Sequence, residues 1–360
     1  MKTILVMLCL AVTTAAVSQE KDRGPFTVGS ATANVGERVS GLIPVQAGVD
    51  LGSDIPVVVV NGRHPGPVLA VMAGSHGTEY ASIIAAEQLL TLINPEETYG
   101  VVIIVPLINI QSFMQKVPHL NPTDGKNLNR VYPGDLKGTQ SERIAYYITS
   151  QILERADHVI DMHGGDLDEN LRPNTIWTKT GNEKQDAISR QMALAFGLDY
   201  IIISNDRPKD PMHSLYLENT ATTRGKPSIT VEAGYAGTVD ADDVSSLVTG
   251  CLSVMRYLKM LPHPATMLEH PVWIDHVLTV TAPDAGIFYP LVKKGTYAEK
   301  GMKIGYVTDV FGRTIYESRA TGSGVILYIC AVPSMKKGDT IAHIGTIAPP
   351  GAGVAVEEPK

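Results

Sequence analysis

Val68-Leu69-Ala70-Val71-Met72-Ala73-Gly74-Ser75-His76-Gly77-Thr78-Glu79 runs from a continuous apolar segment straight into a histidine and a carboxylate three residues apart. Six apolar residues bounded by glycine read as a buried strand. A strand ending in Gly-x-His-Gly-x-Glu holds imidazole and carboxylate rigidly at a sheet edge, where both reach one metal ion. A histidine nitrogen and a glutamate oxygen are ordinary zinc ligands, and a catalytic zinc takes three protein ligands and leaves one position for water. The third ligand should be a distant histidine that also ends a strand. Ile160-Asp161-Met162-His163-Gly164-Gly165 fits that description. A lone HxxE pair occurs by chance on many surfaces; a second strand-end histidine followed by glycines gives it weight.

Around these segments strands and helices alternate. Residues 40–45, 55–61, 68–73, 101–105, 158–162, 200–203 and 228–231 read as strands. Residues 78–92, 141–155, 187–196 and 244–260 carry helical apolar spacing, the first stopped by Asn94-Pro95. The alternation predicts an α/β domain over residues 39–262, built on a central sheet flanked by helices. Beyond Pro262-His263-Pro264 the pattern changes to short β-type runs between glycine turns, a small all-β domain over 270–348. Gly-Ile-Phe-Tyr-Pro and Gly-Val-Ile-Leu-Tyr are each followed by Lys-Lys-Gly, so a two-fold sandwich of repeated hairpins is expected.

The chain has 360 residues, 44% hydrophobic and 19% charged, enough for a large core. A net charge of -7 argues against nucleic acid as the main partner. Lys2, the apolar stretch after it and Ala16-Val17-Ser18 read as an export signal over residues 1–18, with 19–38 as a polar linker. An apolar part of about 14 residues is short for a membrane span. An exported protein, periplasmic or secreted and without stable membrane insertion after signal removal, is therefore expected; an uncleaved anchor is the alternative. Cys9 falls inside the signal, and Cys251 and Cys330 read as buried apolar residues, with a disulfide between them left open. A metal site without thiols suits an oxidising compartment.

Attack of zinc-bound water on a carbonyl needs a base that takes a proton and passes it on. Glu232, in Ile229-Thr230-Val231-Glu232-Ala233-Gly234, ends an apolar strand and precedes small residues that leave room for substrate. Its other reading is a strand-end carboxylate paired with an arginine. In Asp124-Gly125-Lys126-Asn127-Leu128-Asn129-Arg130, arginine can clamp a substrate carboxylate bidentately and asparagine can add a hydrogen bond. Turn chemistry plus a surface charge explains that loop as well. Asp161, two residues before His163, either orients the histidine or caps a turn. His213 and His343 read as structural or exposed. Gly74-Ser75-His76-Gly77 lacks the strand–elbow–helix context of a serine hydrolase.

HxxE, the histidine of Asp-x-His-Gly-Gly, the Asn-Leu-Asn-Arg loop and Glu-Ala-Gly occur in an order that resembles the succinylglutamate desuccinylase/aspartoacylase family. The resemblance runs from about residue 40 to the end of the chain. It implies a zinc carboxypeptidase-like fold and one Zn2+ per chain on His76, Glu79 and His163. It also implies Glu232 as general base and acid, and Asn129 and Arg130 as binders of a substrate carboxylate. Asn127 stands where better-known members carry aspartate. Members usually carry a further arginine, thought to polarise the scissile carbonyl, shortly before the Asn-Arg pair. Val117-Pro118-His119-Leu120-Asn121-Pro122 has none, so His119 or Arg172 is the expected substitute. The C-terminal domain resembles biotinyl and lipoyl carriers but lacks a lysine flanked in the carrier manner, and is expected to brace or cover the site. The expected activity is hydrolysis of an acyl-amide bond in a small carboxylate-bearing substrate, an acyl-amino acid or short peptide. A metallocarboxypeptidase and a non-catalytic zinc-dependent binding protein are the alternatives, and a homo-oligomer is left open.

Overall fold

A computed structural model describes residues 24–206, 208, 210–349 and 351–353. The expected export signal over residues 1–18 lies outside the described residues. Among the described residues no helix is long and apolar enough to cross a membrane.

The core is a thirteen-stranded mixed sheet. From one edge its strands run Glu37–Val45, Ser53–Asn61, Tyr99–Val105, His64–Ala73, His158–His163, Ser228–Glu232, Asn174–Thr178, Tyr200–Ser204 and Val272–Thr281. It continues through Thr340–Ile347 and Gly324–Cys330 to Tyr297–Ala298, with Glu169–Leu171 pairing on Gly324–Cys330. The central three, His64–Ala73, His158–His163 and Ser228–Glu232, are mutually parallel. Alternation along them sorts side chains onto two faces. Val71, Ile160, Met162 and Val231 join one cluster with residues of helices Tyr80–Leu92, Glu183–Phe196 and Ala241–Tyr257. Ala70, Met72 and Val159 join the other, under helices Gln140–Ile148 and Leu217–Thr223. Such a sheet, covered on both faces, matches the expected α/β architecture.

Register brings the site together. Ala73 sits opposite Met162, so the chains leading to His76 and His163 leave the sheet at neighbouring rungs. Glu232 lies opposite His163 on the other side. Two close approaches explain the glycines beside these residues. A Cβ on Gly77 would lie 2.2 Å from the Phe113 nitrogen, and one on Gly165 would lie 2.5 Å from the Gly234 carbonyl carbon. The turns that follow His163 and Glu232 therefore pack backbone against backbone.

Two expectations change, and the open question of the cysteines is answered. Residues 26–38 do not serve as linker: Phe26–Val28 and Ala31–Ala33 form a hairpin, and the next strand already begins at Glu37. Their polarity hides an alternation that buries Val28, Ala31 and Ala33 under Ile43 and Ile55. The helix expected over 141–155 is helical to Ile148 and continues as a π-helical turn, Thr149–Leu153. Cys251 and Cys330 are free and belong to different core clusters.

The C-terminal β region shows the expected two-fold relation. Gly286–Pro290 pairs with Lys303–Thr308 and with the short strand Ser334–Met335. Gly324–Cys330 correspondingly pairs with Thr340–Ile347 and with Tyr297–Ala298. Val272–Thr281 joins this region to the central sheet, running parallel to Tyr200–Ser204 and antiparallel to Thr340–Ile347.

Gly165→Ala should destabilise the protein by about 2 kcal/mol or more, because the clash is with backbone that cannot rotate away. Urea unfolding monitored by circular dichroism will show a lower midpoint; an unchanged midpoint would contradict the backbone contact.

Candidate metal centre

His76 and Glu79 lie on the turn between strand His64–Ala73 and helix Tyr80–Leu92, and His163 ends its strand. All three are buried, with one ligand atom from each within 4.8 Å of the others. His76 Nδ1 is 2.6 Å from Glu79 Oε1, and His163 Nδ1 is 2.9 Å from Glu79 Oε2. The backbone N–H of Gly164 donates to the same Oε2 at 3.0 Å.

The outer nitrogens show what these atoms are prepared to hold. Asn127 Oδ1 accepts from the Asn129 backbone N–H at 2.8 Å and lies 3.1 Å from His76 Nε2. Nε2 therefore carries a proton, and Nδ1 turns its lone pair toward Glu79. A lone pair that close to a carboxylate repels it unless a proton or a metal ion lies between them. Burial works to raise the Glu79 carboxyl, but His163 and His76 hold it well below the usual carboxylate range. Burial likewise opposes charge on His163, but Glu79 and Asp161 raise it well above its ordinary value. Two imidazole nitrogens and a carboxylate, facing a cavity of about 340 Å³ on their open side, fit a zinc ion.

Asp161 is 1% exposed, with Oδ2 3.3 Å from His163 Nε2, which favours orientation of the histidine over a turn cap. Glu232 faces the same cavity; its hydrogen-bond partner is the Asn174 amide at 3.3 Å, not an arginine. Burial, with Glu79 nearby, raises its carboxyl above the ordinary value, against the pull of His163 and Asn174. A raised carboxyl suits a group that takes and returns a proton.

The expected substrate-binding residues divide. Arg130 lines the cavity, its guanidinium 4.6 Å above the Tyr216 ring and donating to the Asn129 carbonyl. Asn129 also lines it, but its amide bridges His163 Nε2 at 3.2 Å and the Leu217 backbone N–H at 2.8 Å. Asn127 serves His76 rather than a free carboxylate site. Arg172 does not reach the cavity: Leu171 faces it, so the next side chain points away and pairs with Asp199 over the Tyr200 ring. His119 does line the cavity, edge-on to His76 with ring centroids 6.0 Å apart. Its Nε2 is bonded to Asp168 at 2.8 Å and its Nδ1 lies 3.3 Å from Asp166, so both nitrogens face carboxylates rather than a carbonyl. Burial opposes its charge, but Asp168 and Asp166 push it up to about 9. A φ of 58° places it in the left-handed region, a strained conformation of the kind that collects at functional sites.

Several cavity residues carried no motif. Glu169 and Leu171 come from the short strand after His163, and Tyr216 and Glu218 from the start of helix Leu217–Thr223. That helix is rich in threonine, a poor helix former, and left no periodic signal. Tyr328 and His343 enter from the C-terminal β region, so His343 is a wall of the site rather than remote from it. His213 is exposed and pairs with Asp210.

Comparison with known proteins bears on this arrangement. Residues 65–258 match the succinylglutamate desuccinylase/aspartoacylase catalytic domain. The N-alpha-acetyl-L-2,4-diaminobutyric acid deacetylase of Halomonas elongata is 29% identical over 302 residues, covering 81% of this chain and 86% of that protein. Two solved structures share the fold. The succinylglutamate desuccinylase/aspartoacylase of Rhodobacter sphaeroides has a TM-score of 0.77 at 24% identity, over 91% of this chain and 97% of the other. The product-bound ectoine utilization protein EutE of Ruegeria pomeroyi has a TM-score of 0.78 at 24% identity, over 88% of this chain and 98% of the other.

His163→Ala should abolish stoichiometric zinc in purified protein, measured by elemental analysis. Asn127→Ala, which removes the acceptor behind His76, should weaken zinc affinity by about 10–100-fold in chelator competition. Full zinc retention by the first variant would remove His163 from the ligand set.

Proposed function

The chain belongs to the succinylglutamate desuccinylase/aspartoacylase family, and we propose that it is an exported, zinc-dependent amidohydrolase acting on a small N-acyl amino acid. One observation carries the reading. A buried His-Glu-His set and the half-buried carboxylate of Glu232 converge from the ends of adjacent strands in register and open onto one cavity. The relative from Halomonas elongata, whose name describes removal of acetyl from a diamino acid, supports deacylation as the reaction class. Export rests on the signal-like pattern of residues 1–18.

A zinc ion held by His76, Glu79 and His163 supplies Lewis acidity, polarising the acyl carbonyl and acidifying water. Glu232 receives the proton released as water adds to the acyl carbon. It then delivers that proton to the leaving nitrogen as the C–N bond breaks. The Asn174 amide fixes one oxygen so that the other can face the reacting atoms. Arg130, backed by the Tyr216 ring and tied to the Asn129 carbonyl, is placed to hold the substrate carboxylate and set its orientation. With Arg172 turned away and both His119 nitrogens engaged by carboxylates, neither supplies a ready donor to the carbonyl oxygen.

The reading is tested by assaying zinc-loaded protein against N-acyl amino acids and short peptides with analysis of the products. Release of free amino acid from the acyl compounds and not from peptides is expected; cleavage confined to peptides would favour a carboxypeptidase. Glu232→Gln should retain zinc and lose activity by about 10²–10⁴-fold, and undiminished hydrolysis would exclude it from proton transfer. Arg130→Ala should act chiefly on KM, raising it about tenfold or more through loss of a charge-assisted contact.

A further inference from the structure

Glu169, like Asp206 and Glu218, is an acidic residue lining the cavity that the hydrolytic scheme leaves unused. Its segment runs beside the chain that follows Glu232: the Ala236 N–H donates to the Glu169 carbonyl at 2.7 Å, and the Leu171 N–H to the Gly234 carbonyl at 3.2 Å. Side chains alternate along this short strand, so Glu169 and Leu171 face the cavity. One carboxylate oxygen, Oε2, accepts from the Asp166 N–H at 3.0 Å; Oε1 makes no hydrogen bond among the described residues. The charges that act on it from within the site are those of Glu79, Glu232 and His119, and His119 is already paired with two aspartates. A further carboxylate, Asp161, lines the same space at 1% exposure, its Oδ2 3.3 Å from His163 Nε2. The one arginine or lysine lining the cavity among the described residues is Arg130.

Two carboxylates facing one space without a cation destabilise each other, and burial makes this worse. Burial raises the Glu169 carboxyl, and a cation at its free Oε1 would offset that cost. Amide hydrolysis supplies such a cation beside the zinc site. As the water oxygen bonds to the acyl carbon, the C–N bonding pair passes to nitrogen. Nitrogen gains one proton through Glu232 and a second as the acid product ionises, and so leaves as an ammonium.

We propose that Glu169 is the amine-side residue of this site. It accepts a hydrogen bond from the N–H of the scissile amide and, beside Glu232, holds the ammonium of the departing amino acid. This rests on the amide-hydrolase reading only for the identity of the amine.

Binding measured without turnover tests it. Zinc-loaded wild type and Glu169→Gln, which keeps an oxygen for the Asp166 N–H, are titrated calorimetrically with two ligand pairs that differ only at the α nitrogen. These are L-aspartate against L-malate, and L-2,4-diaminobutyrate against L-2-hydroxy-4-aminobutyrate. Wild type should bind the amine of at least one pair about tenfold more tightly or better, as a hydrogen bond between charged groups requires. In Glu169→Gln that preference should fall to within about twofold while affinity for the hydroxy acid is kept. Equal affinities within both pairs for wild type, or no binding of any of the four, overturn the proposal without need of the variant. A preference that survives in Glu169→Gln overturns it too, because the amine would then be held by another group. Absence of hydrolysis in the acyl-amino acid screen counts against the hydrolase reading instead and leaves this binding result standing by itself.

Discussion

Everything at the site depends on where three parallel strands stop. Ala73 faces Met162, and His163 faces Glu232, so the HxxE turn, the second histidine and the half-buried carboxylate emerge at one level of the sheet. Strand pairing is periodic, and a slip of one residue would send each of these side chains to the opposite face. The apolar alternation of Val71, Ile160 and Val231 against Ala70, Met72 and Val159 prevents that slip, because each set fills a different core cluster. The candidate metal ligands are thus placed by hydrophobic burial several residues away from them.

That placement concentrates charge in a dry environment, and the surroundings answer it group by group. Gly164 N–H and both histidines face Glu79, Asn127 turns the His76 ring, and Asp161 stands behind His163. Asp166 ties three parts together: it accepts from Thr78, between the two ligands of the motif, and from the His119 backbone, and it faces the His119 ring. Polar residues around a metal centre of this kind hold the ligands before the metal arrives, which limits the ordering that binding must impose.

Much of the site was legible in sequence because its chemistry is local. HxxE, Asp-x-His-Gly-Gly and Glu232 each sit where an apolar strand ends, and strand ends can be read from one segment at a time. The glycines beside them were legible as a pattern, but their reason was not. Gly77 is required by the Phe113 backbone and Gly165 by the Gly234 backbone, neighbours remote along the chain. Arg172 misled because charge and proximity in sequence suggested a substrate contact, whereas strand alternation turns it toward Asp199. Asn127 and Asn129 read in sequence as hydrogen-bonding residues, yet only the folded loop turns them toward His76 and His163.

The sequence by itself determined the α/β core, the all-β C-terminal region and the donor set His76, Glu79 and His163, because these follow from periodicity and from ligand chemistry at strand ends. Tertiary structure alone decided which walls the cavity has. Glu169, Tyr216, Tyr328 and His343 come from a short strand, the start of a helix rich in threonine and the C-terminal strands, none carrying a motif. The physical reason is that a cavity wall is made by whichever side chains the packing leaves facing the gap. That choice depends on pairings between distant segments, which no single stretch of sequence contains.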